Sequence, residues 1–138
     1  MTITPQALNA AIQSEDFKAP FIRFLNDLLQ DRKLNTGAVQ PLTISGGIVS
    51  ISANYSYYSI DTQAAAASDD LDTISGGNEG DLIFIKAANT TRTVVVKDAT
   101  GNILTNGSVD LSLDNTDDLV IMHFDGTNWK ANIWNIGA

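Results

Sequence analysis

Apolar positions along this chain follow two rhythms, and the switch between them falls near residue 41. In the first stretch, Leu8, Ala11 and Ile12 sit at helical spacing behind Thr4-Pro5, a pair suited to a helix N-cap and first position. Pro20 then forces a break or restart, because proline lacks the N–H and crowds the preceding turn. Beyond it Phe21, Phe24, Leu25, Leu28 and Leu29 recur at i, i+3, i+4, i+7 and i+8, a single apolar helical stripe. Arg32 and Lys33 suit the negative end of the helix dipole, and Asn35 and Gly37 can end it. The pattern predicts helices over about 5–12 and about 20–34, making an N-terminal helical arm of residues 1–40.

After Pro41 the rhythm becomes short runs of β-branched and aromatic residues: Leu42–Ser45, Ile48–Ala53, Tyr55–Asp61, Asp81–Ala87, Arg92–Asp98, Val109–Leu113, Leu119–Phe124 and Trp129–Ile136. Between them stand turn sequences such as Gly46-Gly47, Gly76-Gly77-Asn78, Thr100-Gly101-Asn102, Asn106-Gly107 and Asp125-Gly126-Thr127-Asn128. Strands recurring roughly every 8–12 residues predict a mainly β domain over 41–138, an antiparallel β-sandwich or barrel-like body. Ala64–Ala67 fits either one helical turn or a packed loop.

Leu82-Ile83-Phe84-Ile85 and Val94-Val95-Val96 are apolar at consecutive positions. Strands of that kind are expected to be covered on both faces, by a thick core or by a neighbour. Ile83, Phe84 and Ile85, with Phe21, Phe24, Leu25 and Leu28 of the helical stripe, are therefore the candidate interface residues.

Composition narrows the function. A chain of 138 residues suits one domain, and 43% hydrophobic with 17% charged residues suits a globular one. There is no cysteine, so neither a disulfide frame nor a thiolate metal site can form. The start MTITPQALNAAI has neither the basic beginning nor the apolar run of a signal peptide, and no stretch approaches the roughly 20 apolar residues of a membrane span. Residues 1–40 carry four basic and four acidic side chains, so the net charge of −8 belongs to residues 41–138. An acidic body lacks the counterion-release term that dominates nucleic-acid affinity, and nucleic acid is not an expected partner.

No catalytic constellation stands out. His123 has Asp117, Asp118 and Asp125 nearby but no marked nucleophile, so it reads as a strand histidine. Asp69-Asp70-Leu71-Asp72 and Asn115-Thr116-Asp117-Asp118 have oxygens that calcium favours, yet lack the spaced ligands of an EF-hand loop and read as capped turns. Trp129, Trp134, Tyr55, Tyr57 and Tyr58 are candidates for stacking on a sugar, Trp129 and Tyr57 foremost; Trp129 and Trp134, five apart, are expected on opposite faces of an extended strand, so at most one of them lies in any given groove. Three Asn-X-Ser/Thr triplets are expected by chance in so Asn-rich a chain. No cofactor, metal ion or membrane is called for, and an enzyme is not expected.

Tyr58-Ser59-Ile60-Asp61-Thr62, Asp69-Asp70-Leu71-Asp72-Thr73-Ile74 and Gly80-Asp81-Leu82-Ile83-Phe84-Ile85 resemble a β-module of bacteriophage virion proteins. Thr93-Val94-Val95-Val96-Lys97-Asp98, Leu113-Asp114-Asn115-Thr116-Asp117-Asp118 and the closing Asp125-Gly126-Thr127-Asn128-Trp129 extend the likeness over roughly residues 42–136. It implies a structural virion protein: a homotrimeric capsid decoration (cement) protein, made in the host cytoplasm, that binds the major capsid protein at the capsid surface. The alternative that it implies is a tail-fibre module recognising a host surface glycan.

Overall fold

The computed structural model describes residues 4–7 and 36–134. The chain divides into two compact units, Met1–Asn35 and Thr36–Ala138. In the first, residues 5–7 are helical and the Ala7 N–H donates to Thr4 Oγ1 at 3.1 Å, the N-cap that Thr4-Pro5 predicts. The helix expected over 20–34, with Phe21, Phe24, Leu25 and Leu28, lies outside the described residues.

The second unit contains eleven described strands: β1 (Gln40–Thr43), β2 (Ile48–Ser50), β3 (Tyr57–Asp61), β4 (Ser68–Leu71), β5 (Thr73–Ser75), β6 (Leu82–Ala87), β7 (Thr93–Val96), β8 (Ile103–Thr105), β9 (Leu111–Leu113), β10 (Leu119–Phe124) and β11 (Trp129–Trp134). They form a six-stranded sheet in the order β1-β3-β6-β10-β11-β8, a pair β2-β5, and a three-stranded sheet β4-β7-β9. The unit is mainly β, as the turn spacing predicts. Its ladders correct the expectation of an antiparallel sandwich or barrel. Among the described strands, β1-β3, β3-β6, β2-β5, β4-β7 and β8-β11 are parallel, and only β6-β10, β10-β11 and β7-β9 are antiparallel. Ser68 pairs with Thr93 and Ile48 with Thr73, so at these two ladders the chain returns beside itself after 25 residues, and the parallel pairs together make a solenoid-like arrangement.

Most strands send one to three apolar side chains into a shared interior. Val49 and Ile74 face inward from the paired β2 and β5, and Leu71, Val96 and Leu111 line up across β4, β7 and β9. Tyr58, Ile85 and Val120 do the same across the six-stranded sheet. Buried Tyr58 satisfies its hydroxyl by donating toward Ser52 O and Tyr55 O, both at 2.9 Å, and burial pushes its pKa up.

Two glycines and an amide fix the junctions between coils. A Cβ on Gly101 would lie 2.2 Å from Asp72 O and from Thr73 Oγ1, so only hydrogen fits there. That close approach lets Asn102 act as a surrogate peptide: its side chain accepts from Ile74 N at 3.0 Å and donates to Ile74 O at 2.8 Å. Gly76, at φ +95, takes the left-handed conformation beside Ile51 O. The Ala64–Ala67 segment begins with a turn at Gln63–Ala65, where Ala64 and Ala65 have φ of 52 and 56.

The last hairpin closes the unit. Asp125 Oδ1 accepts from Thr127 N at 2.9 Å and Asn128 N at 2.7 Å, with Gly126 at φ +93, so Asp125-Gly126-Thr127-Asn128 is the predicted β10-β11 loop. Trp129 then anchors the return strand, fully buried, its ring 4.8 Å from that of Phe124 and its indole N–H donating to Ile74 O at 3.2 Å. One side chain thus ties the antiparallel end to the parallel coils. Among the described residues, no helix is long and apolar enough to cross a membrane.

Candidate functional site

The six-stranded sheet has one face in the core and one face outward, and the outward face is unusually apolar. Its residues follow from the register. Tyr57, Phe84, Ile121 and Asn132 stand side by side in one row across β3, β6, β10 and β11. Leu82, His123, Lys130 and Leu104 make a second row, and Leu119 with Trp134 a third. Trp134 is 65% exposed and Leu82 41%, while Tyr57, Phe84, Leu119 and Ile121 are half-buried. Large apolar side chains gathered on an outer face are the usual mark of an interaction surface.

The sequence-derived site residues divide between the two faces. Ile83 and Ile85, expected at an interface, are 2% and 1% exposed and belong to the core; only Phe84 between them points outward. Consecutive apolar residues on β6 therefore serve opposite sides of one sheet. Val94 and Val96 of β7 are likewise inside, with Val95 outside. Trp129, expected to stack on a sugar, is 0% exposed and held to Ile74 O, which leaves it no face to offer a glycan. Tyr57 does lie on the outer face. Of the other stacking candidates, Tyr58 is buried, while Tyr55 at 43% and Trp134 at 65% are exposed, Trp134 on the face opposite Trp129 as the five-residue spacing predicts.

Charge is distributed with the same asymmetry. The strands of this face carry a single carboxylate, Asp61, clamped by Arg92 through Nε to Oδ1 and Nη2 to Oδ2, both at 2.7 Å. Arg92 beside it holds the Asp61 carboxyl below its usual range. Lys130 reaches Asp125 Oδ2 at 3.2 Å, and Lys86 forms no ion pair among the described residues. The other acidic residues among those described sit on turns and on β4, where many cap backbone N–H groups. Asp69 Oδ2 accepts from Gln63 N at 2.7 Å, and buried Asp118 accepts from Asp114 N and Asn115 N. Carboxylates spent on turns are poorly placed to gather round a cation. Among the described residues no group of three or more His, Asp or Glu side chains is gathered to hold a metal ion. His123 is exposed on β10 with Leu82 and Lys130 as its cross-strand neighbours, so no carboxylate is opposite it to orient the ring.

Both edges of the six-stranded sheet are closed to further strands. A parallel strand bonds its neighbour through alternate residues, so the Ile44 N–H to Asp61 O bond at 2.9 Å puts Pro41 on the open side of β1. Pro41 has no N–H to offer there. At the other edge, Thr105 N donates to Asp98 Oδ1 at 2.8 Å and Ile103 O accepts from Ala99 N at 2.9 Å. Edges blunted this way discourage strand addition and leave the face as the surface available for contact.

Among the described residues, recesses also lie outside this face's apolar centre. One of about 170 Å³ is framed by Ile51, Ser52, Tyr55, Asp81 and Leu82. A shallow groove of about 410 Å³ runs along β8 and β11 past Leu104, Asn106 and Lys130. Ser52, Ser56 and Asp81 line the first, where Asp81 Oδ2 accepts from Asn78 N at 2.8 Å and not from a serine hydroxyl. Comparison with protein-family models, with curated proteins and with solved structures finds no match to this chain.

Proposed function

We propose that this chain is a structural assembly protein of the bacteriophage capsid-decoration type, a homotrimer that binds the major capsid protein and stabilises the shell. The observation that carries the reading is the outward apolar face around Phe84, Ile121 and Trp134 on a sheet whose edges are blunted. A rigid β body with such a face suits binding and packing. A protein that binds only the assembled lattice stabilises it by mass action, without chemistry. In this reading the N-terminal arm, helical with its Phe21, Phe24, Leu25 and Leu28 stripe, attaches to the shell. Synthesis is in the host cytoplasm and the working location is the capsid surface.

The exposed ring of Trp134 supports a second reading, a tail-fibre module that stacks on a host glycan. A cryo-electron map of the source particle separates the two. Density over the whole shell is expected for a decoration protein, and density confined to the tail tip would overturn that assignment in favour of the fibre. Deleting residues 1–35 is expected to leave a soluble body that no longer co-sediments with capsid shells.

A further inference from the structure

We infer that copies of this chain associate head to tail, the outer face of the six-stranded sheet of one copy packing against the outer surface of the β4-β7-β9 sheet of the next, around the exposed carboxylate Asp70. Strand addition at the six-stranded sheet is disfavoured, because Pro41 offers no N–H on one edge and Asp98 and Ala99 occupy the other. For the six-stranded sheet, that leaves the outer face for contact. Two identical copies of the apolar face are a poor match. Each would desolvate Lys86, and the only carboxylate on the strands, Asp61, is already committed to Arg92.

The complementary surface exists on the same molecule. Asp70, Val95 and Ser112 form one outward row across β4, β7 and β9. Asp70 is exposed and forms no ion pair among the described residues; Lys97, which feels its charge, is itself paired with Asp110. Val109, 57% exposed, adds apolar area just before β9. Phe84 and Trp134 of one copy meet Val95 and Val109 of the next, and Lys86 meets Asp70. A contact between two different patches closes into a ring when the rotation allows, which an odd-numbered assembly such as a trimer requires.

The inference rests on the self-association part of the reading above and is independent of attachment to a capsid. The test is the solution mass of the full chain by light scattering, with no shells present. Wild type is expected to give a closed ring of three copies. Lys86→Glu should dissociate it, and the double variant Lys86→Glu/Asp70→Lys should restore the ring by reversing both charges. Trp134→Ala should weaken association about 30-fold, the effect of an interface hot spot. Circular dichroism and melting of each variant establish that the body is still folded. A single-copy mass for wild type, an intact ring for Lys86→Glu, or a double variant that stays dissociated overturns the inference. A ring that ignores capsid shells would sink the virion reading alone, whereas single copies that bind shells would sink this one alone.

Discussion

Trp129 and Trp134 lie five residues apart on one strand and have opposite fates. Trp129 is sealed in the interior, packed on Phe124 and bonded to Ile74 O, while Trp134 lies with 65% of its surface open on the other side of the same sheet. The alternation of a strand separates them: odd offsets change face. The inner face is held by contacts to every coil and sets stability. On the outer face the exposed Trp134 contributes little to holding the body together and is free to set association.

That contrast is most severely tested at Trp129. Trp129→Ala is expected to cost about 4 kcal/mol, because a large cavity opens and Ile74 O loses its indole donor; urea unfolding measures it. Next in size, Asn102→Ala should cost about 2–3 kcal/mol by the same measurement, since Ile74 N and Ile74 O both lose their amide partner. If Asn102→Ala were neutral, the surrogate peptide would not be holding the coils in register. Trp134→Ala should change the unfolding free energy by no more than about 0.5 kcal/mol at protein concentrations low enough to hold single copies. A loss comparable to that at Trp129 would erase the distinction between the faces.

The smallest expected effect lies in the loop that joins β10 to β11. Backbone N–H groups of Asn128 and Thr127 hold Asp125 down to about 2, with Lys130 assisting. A carboxyl with a depressed folded pKa adds stability that is fully present above its unfolded value, near 4, and is lost as pH falls through about 2. Wild type should therefore lose stability between about pH 4 and pH 2, and Asp125→Asn should flatten part of that slope. Thermal melts across that range read the difference, and parallel slopes would remove Asp125 as a contributor.

Much of the unit was legible from residue patterns, and the misses share a cause. Seven of the eight apolar runs contain a strand, the run Leu42–Ser45 overlaps only the end of β1, and the Asp125–Asn128 hairpin falls where its turn residues put it. The patterns missed β4, β5 and β8, three or four residues long with one or two inward side chains each. Leu71 is the only buried residue of Ser68–Leu71, and a single apolar position has no period to detect. Its two aspartates made it resemble a solvated turn. A 25-residue offset, which aligns Ile48-Val49-Ser50 with Thr73-Ile74-Ser75, was the available signal for the coil repeat.

The chain's own order of residues determined where it is β, where it turns, which face of each strand takes its neighbour's parity, and that its charge is gathered in the second unit. Tertiary structure alone decided strand direction and partner, and with them which of two consecutive apolar residues became core and which became surface. Parity is a local property of the backbone, whereas pairing is a choice among distant segments. That choice is made by whole-molecule contacts such as Asn102 to Ile74 and Trp129 to Ile74, which no short window of sequence contains.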